Sequence, residues 1–189
     1  MADMIAFLME NFTLSFLVIG VVFSLVALSR AARPLSAPAL VEKFLFWFLF
    51  FSIGCAFLYN GILHVGAPDL AAKFIGWANS PFQIELGFAS IGFGVVGLIA
   101  PWKSLHMRFA AVAPVACFLW GAAGVHIRSM ISDENFDSGN AGVIFWTDIL
   151  IPLAGLILIW LQRRYEKEGR SAAPYPNPQR YPQSRKPSS

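Results

Sequence analysis

Polar and apolar positions along this chain fall into blocks rather than alternating. Five nearly unbroken apolar runs, Phe12 to Leu28, Phe44 to Leu63, Phe82 to Ala100, Phe109 to Val125 and Val143 to Leu161, are separated by short polar segments. Each holds about 17 to 20 residues, which at about 1.5 Å of rise per residue crosses a hydrocarbon core of about 30 Å. Continuous apolar character predicts helices, since a barrel strand would alternate and a helix satisfies its own backbone hydrogen bonds in lipid. The first run follows Asp3 and Glu10 with no Lys or Arg. A secretory signal has a basic leader, so this run is read as the first span. After Pro68, Leu70, Phe74 and Trp77 recur at helical spacing and predict a short helix lying in the outer interface.

Composition agrees with that pattern. Of 189 residues, 57% are hydrophobic and 13% charged, with mean hydropathy +0.60, against roughly 25% charged in an ordinary soluble domain. The expected fold is therefore all-α, with five transmembrane helices and the bilayer as solvent. Of the 14 Lys and Arg, only Lys73 and Arg128 fall outside the segment after the first run, the loop after the third and the tail. Cytoplasmic loops are enriched in basic residues. The N-terminus is thus expected outside and the C-terminus in the cytoplasm, in a bacterial inner membrane. Residues 1–165 form the membrane domain, while 166–189, rich in Pro and basic side chains, read as a disordered cytoplasmic tail.

The third helix has the clearest predicted start: Ser80 at the N-cap, Pro81 at the first helical position and Gln83 closing a capping box. Along it Gly87, Ser90, Gly94 and Gly97 form a stripe of small residues, and Ala113, Cys117, Gly121 and Gly124 do so on the fourth helix. Small residues let helices approach closely in lipid, so these two helices are expected to pack against each other.

Ionisable groups inside apolar runs are costly and mark interior faces or cavities. Four stand here: His64, Glu85, His126 and Asp148. Given the topology, His64 and His126 end outward-running helices. Glu85 lies about 6 Å and Asp148 about 8 Å into inward-running ones. All four share a shallow layer near the outer surface. Asn60 stands one turn before His64, and Asn60 and Gln83 are supporting polar groups. Pro152 leaves the Asp148 carbonyl without its helical donor. Two imidazoles and two carboxylates form a possible metal-ligand set, but no Glu-x-x-His occurs. The plainer reading pairs each His with a carboxylate across helices. Between these lies a proton-responsive or small-ligand site, rimmed by Tyr59, Trp77, Trp120 and Trp146.

Other patterns carry less. Asp133, Asn135, Asp137 and Gly139 are spaced like a calcium loop, yet Ser138 and Ile144 stand where an EF-hand needs Gly and Glu, so an acidic turn is expected. Cys55 and Cys117 are read as small apolar residues. Nucleic-acid binding has only the basic tail in its favour and is set aside.

The stretches His64-Val-Gly-Ala-Pro-Asp, Phe74-Ile-Gly-Trp77 and Ser80-Pro-Phe-Gln-Ile-Glu85 through Gly87 resemble a bacterial family of small polytopic membrane proteins without an established function. The resemblance covers most of residues 40 to 162 and implies a helical inner-membrane fold, with no catalytic residue or cofactor to carry over. Size and helix count are also similar to DoxX-like membrane proteins. The leading expectation is a non-enzymatic protein that binds or responds to a small ligand, proton or membrane partner at the outer polar cluster. Its partners are the lipid bilayer and either another membrane protein or a second copy. Alternatives are a membrane enzyme acting on a lipid or quinone through a carboxylate/His pair, a small transporter, or an accessory subunit. A green fluorescent protein fused after Ser189 should fluoresce in intact cells; an alkaline phosphatase fused there should be inactive. The reverse pattern would invert the topology.

Overall fold

The computed structural model describes residue 7 and residues 10–171. Those residues hold helices and no strand. In chain order the helices are α1 (Phe12–Ser29), α2 (Ala37–Gly66), α3 (Pro68–Ile75), α4 (Phe82–Ile99, ending in a 3-10 turn Ala100–Trp102), α5 (Leu105–Ser132), α6 (Ser138–Ala141) and α7 (Val143–Ser171). Five of them are long and apolar enough to cross a membrane. Large apolar side chains on their outer faces, among them Val18, Val22, Leu25, Phe88 and Leu153, are exposed, as expected where lipid is the solvent. The interior is a continuous cluster around Leu45, Leu49, Ile53, Val112, Val115 and Ile151. The helices outrun the apolar blocks: α2 begins at Ala37, α5 continues to Ser132, and α7 reaches Ser171, beyond the boundary expected at 165. The expected tail from 172 lies outside the described residues.

Small residues decide which helices meet, and the outcome differs from the expected pairing. A Cβ on Gly61 would stand 2.6 Å from the Gly87 carbonyl oxygen, one on Gly94 2.7 Å from the Leu58 nitrogen, and one on Gly97 2.6 Å from the Gly54 nitrogen. The stripe on α4 therefore seats on the C-terminal half of α2, and Asn60 Nδ2 donates to Ser90 Oγ across the same contact at 3.0 Å. Gly121 and Gly124 are exposed and have nothing in reach of an added Cβ. On α5 the buried face is Ala111, Val112, Val115, Ala116, Leu119 and Ala123, set about 100° or more around the helix from those glycines. The expected small-residue contact between α4 and α5 is thus corrected: α2 supplied its own glycines for the close approach.

Within α2, Leu49–Cys55 is wound as a π-helix. Such wide turns displace the local carbonyls that a helical Ser normally uses. Ser52, in the middle of the stretch, is 1% exposed and its hydroxyl has no hydrogen-bond partner.

The end expected to face the cytoplasm is locked by a group that sequence reading counted as a loop charge. Arg108 lies in the first turn of α5, buried, and holds Glu42 of α2 bidentately at 2.7 and 2.8 Å. It also donates to Gln162 of α7 at 3.1 Å and to the Pro101 carbonyl at 2.6 Å, while Gln162 Nε2 donates to Glu42 at 2.7 Å. A planar guanidinium suits this fork.

Gly87→Leu is expected to lower stability in detergent by about 1–3 kcal/mol through overpacking, while Gly121→Leu should change it by less than about 0.5 kcal/mol. Thermal unfolding of the two variants side by side checks the pairing.

Candidate functional site

Three of the four embedded ionisable groups come together. His64 ends α2, His126 lies near the C-terminal end of α5, and Asp148 is one turn into α7; all three are buried and line one cavity of about 120 Å³. Asn60 lines it as well. Gln83 is buried behind His64. Glu85 does not belong to the site: it is exposed, because on α4 the inward positions are Gln83, Gly87 and Ser90, and Glu85 falls between them on the outer face. The capping box is corrected for the same reason. Helix α4 starts at Phe82 with no side-chain cap bond, and Gln83 reaches across to α2 instead of back to Ser80.

Both imidazoles are oriented by amides, not by carboxylates. His64 Nδ1 stands 2.6 Å from Gln83 Oε1. With the amide oxygen facing the ring, Nδ1 is the donor of this bond, and in the neutral ring Nε2 is the acceptor. His126 Nδ1 stands 2.7 Å from Asn140 Oδ1. The Asn140 orientation is fixed independently, since its Nδ2 donates to the His126 carbonyl at 3.3 Å and to the Asn135 carbonyl at 2.9 Å. Here too Nδ1 donates and Nε2 is turned away, toward Asp148 Oδ2 at 3.6 Å. That distance is an electrostatic contact and too long for a hydrogen bond. The pairing of each His with a carboxylate is therefore half realised: His126 faces Asp148, and His64 faces an amide.

The cavity runs along the bundle. The end expected to face outside is capped by α3 and the α5–α7 connection, with Trp77 lying against His126, ring centroids 5.7 Å apart and planes 30° apart. Asn135 Nδ2 holds the cap by donating to the Ile75 carbonyl at 3.0 Å, and Gly76 turns the chain there with φ 77°, a left-handed conformation that favours glycine. Those roles make the acidic segment after α5 a structural turn. Thr13 of α1 meets Thr147 of α7 at 2.7 Å beside the cavity. Lower down the walls are Phe57, Phe118, Leu119 and Ile151, and Ser52 lines the inner end. Of the expected aromatic rim, Trp77 is at the cavity. Tyr59 packs against Phe12 with ring centroids 4.9 Å apart and planes tilted by 43°, and Trp120 and Trp146 are exposed.

Among the described residues no group of three or more His, Cys, Asp or Glu converges to hold a metal ion. With Glu85 turned outward, the four-ligand alternative loses its second carboxylate. Sequence reading missed Asn140, Ser52 and Thr13. Asn140 lies in a polar loop where one more Asn attracts no notice, and Ser52 becomes unusual only through the π-helical winding around it.

Fold and site together define an all-helical protein of the multi-pass membrane type with a polar-ended cavity between its helices. Residues 10–168 match the model of a family described as Family of unknown function (DUF6790), and the chain belongs to that family. No curated protein and no solved structure matches.

Gln83→Leu should cost about 1–3 kcal/mol, because it leaves the buried Nδ1–H of His64 without an acceptor, whereas Glu85→Gln should leave stability within about 0.5 kcal/mol of the wild type. Chemical or thermal unfolding in detergent checks both.

Proposed function

We propose that this protein is a non-enzymatic, multi-pass protein of a bacterial inner membrane, with its N-terminus outside, that holds a small amphiphilic molecule in the cavity between α1, α2, α5 and α7. One observation carries the reading: His64, His126 and Asp148 line one cavity whose other walls are mostly apolar, and Ser52, whose buried hydroxyl has no partner among the described residues, is also a lining residue. A buried hydroxyl without a partner costs about 1–3 kcal/mol, and an occupant that supplies the missing hydrogen bond offsets this. Mostly apolar walls with a few convergent polar groups are the usual make-up of a small-molecule site. The similarity in size and helix count to DoxX-like proteins rests on no shared residue and adds no activity to this reading.

The alternative is a membrane enzyme acting on a lipid or quinone. It is favoured by the approach of His126 Nε2 to Asp148 Oδ2 inside the cavity, a carboxylate/imidazole pair suited to acid–base work. A transporter or accessory role has less support, since no internal repeat marks the helices.

Ala56 is 2% exposed and lines the cavity, so Ala56→Phe should fill it. Native mass spectrometry of wild-type protein released from its membranes in mild detergent is expected to show a bound small molecule, and the variant, at equal abundance, is expected to lack it. An empty wild type, or a variant that keeps the molecule, would count against a binding function.

A further inference from the structure

Resting on the binding reading above, we propose that the occupant is an elongated hydrophobic amine, bound as its ammonium ion at Asp148 in exchange for a proton. The first support is the hydrogen-bonding character of the polar end. Each imidazole spends its Nδ1–H on an amide and offers Nε2. The Asp148 carboxyl makes no hydrogen bond among the described residues, and its nearest ionisable partner is His126, with Nε2 at 3.6 Å. No Lys or Arg lines the cavity. An array of acceptors without a fixed cation repels carboxylates and phosphates and suits a head group with N–H donors.

The second support is shape and wall chemistry. Ser52 and His64 are both on the cavity-lining face of α2, twelve residues apart, which is roughly 18 Å of helix rise. A ligand therefore extends along the bundle, its ammonium at the outer end and its apolar body between Phe57, Phe118 and Leu119. Trp77 and Phe74 close the outer end, where aromatic faces add attraction for a cation.

The third support is charge balance. An unpaired carboxylate in an apolar cavity is strongly disfavoured, so the empty site carries one proton on the Asp148/His126 pair. When R–NH3+ enters, the O–H or N–H bond holding that proton breaks, the proton passes to outside water, and the ammonium takes over the neutralising role with its own bonds unchanged. His64, from α2, is the other titratable group lining the cavity. Around it on the packed elements, Lys73 of α3, Arg128 of α5, and Asp133, Glu134 and Asp137 of the outer turn are exposed, as is Glu85 of α4. They lie in water or at its edge and contribute a screened background.

The test uses the full chain in nanodiscs of zwitterionic lipid, with empty nanodiscs as the partition control, and three probes of equal length: n-decylamine, 1-decanol and decanoate. Calorimetric titration should rank decylamine at least tenfold above the other two, with about one proton released per amine, read by an indicator dye in weak buffer. Amine affinity should fall by about tenfold for each unit by which the pH is lowered once the pair is protonated. Asp148→Asn should lose the amine preference and the proton release while still admitting decanol; Asp148→Glu should restore both. If Asp148→Asn fails to fold, the proton count and pH slope of the wild type decide. Decanol or decanoate binding as tightly as the amine, or amine binding without proton release, would overturn the cation assignment and leave the cavity reading standing. Failure of all three probes to bind above the control would overturn both.

Discussion

Two side-chain amides set the chemistry of the outer half of this bundle. Gln83 and Asn140 each take the Nδ1–H of one buried imidazole, and because both amides are themselves buried those bonds are not readily exchanged for solvent. Once Nδ1 is committed, Nε2 is the acceptor whenever the ring is neutral. That one constraint converts two histidines from groups of undetermined role into a fixed pair of acceptors, and it places Asp148 opposite His126 with its oxygens open to the cavity. Had the amides been carboxylates, the rings would be neutralised inside the protein walls, and the cavity would present little beyond hydrocarbon.

The rest of the structure keeps those amides in position. Gln83 is brought to His64 because glycine meets glycine where α4 crosses the C-terminal half of α2, with the Gly61 and Gly87 backbones in direct approach. Asn140 is held by two carbonyls, one of them from His126 itself, so the ring and its orienting amide move as a unit. At the other end, the Arg108 fork onto Glu42, with Gln162 and the Pro101 carbonyl, ties α2, α4, α5 and α7 together. The bundle is thus fastened at both ends by polar networks, and the apolar middle between them is where the π-helical turn of α2 and the cavity lie.

Much of the fold was legible from the chain, because block-like hydrophobicity is a direct record of lipid as solvent. The five apolar runs, the short helix after Pro68 and the common depth of His64, His126 and Asp148 all follow from length and spacing. What periodicity could not reveal is azimuth. Glu85 has the depth expected of the histidines but is exposed, and Gly121 and Gly124 resemble a packing stripe yet are exposed, because a hydrophobic solvent would let apolar side chains cover every side of a helix. In a soluble protein the polar face would have shown which side was out. Asn140 was illegible for a different reason: its role depends on a tertiary contact between a loop and a helix end. Ser52 was illegible because nothing in Leu49–Cys55 marks it as π-helical.

The central claim is that both imidazoles present Nε2 to the cavity. Nitrogen-15 NMR of the histidine-labelled protein in nanodiscs, with His64 and His126 assigned by single substitutions, reads this directly. The account predicts a proton on Nδ1 of both rings, His64 with a bare Nε2 and His126 either bare there or sharing the one proton with Asp148. A spectrum showing Nε2–H with an unprotonated Nδ1 on either ring would contradict it, since the amide contacts would then have to be made the other way round and the acceptor array would not exist.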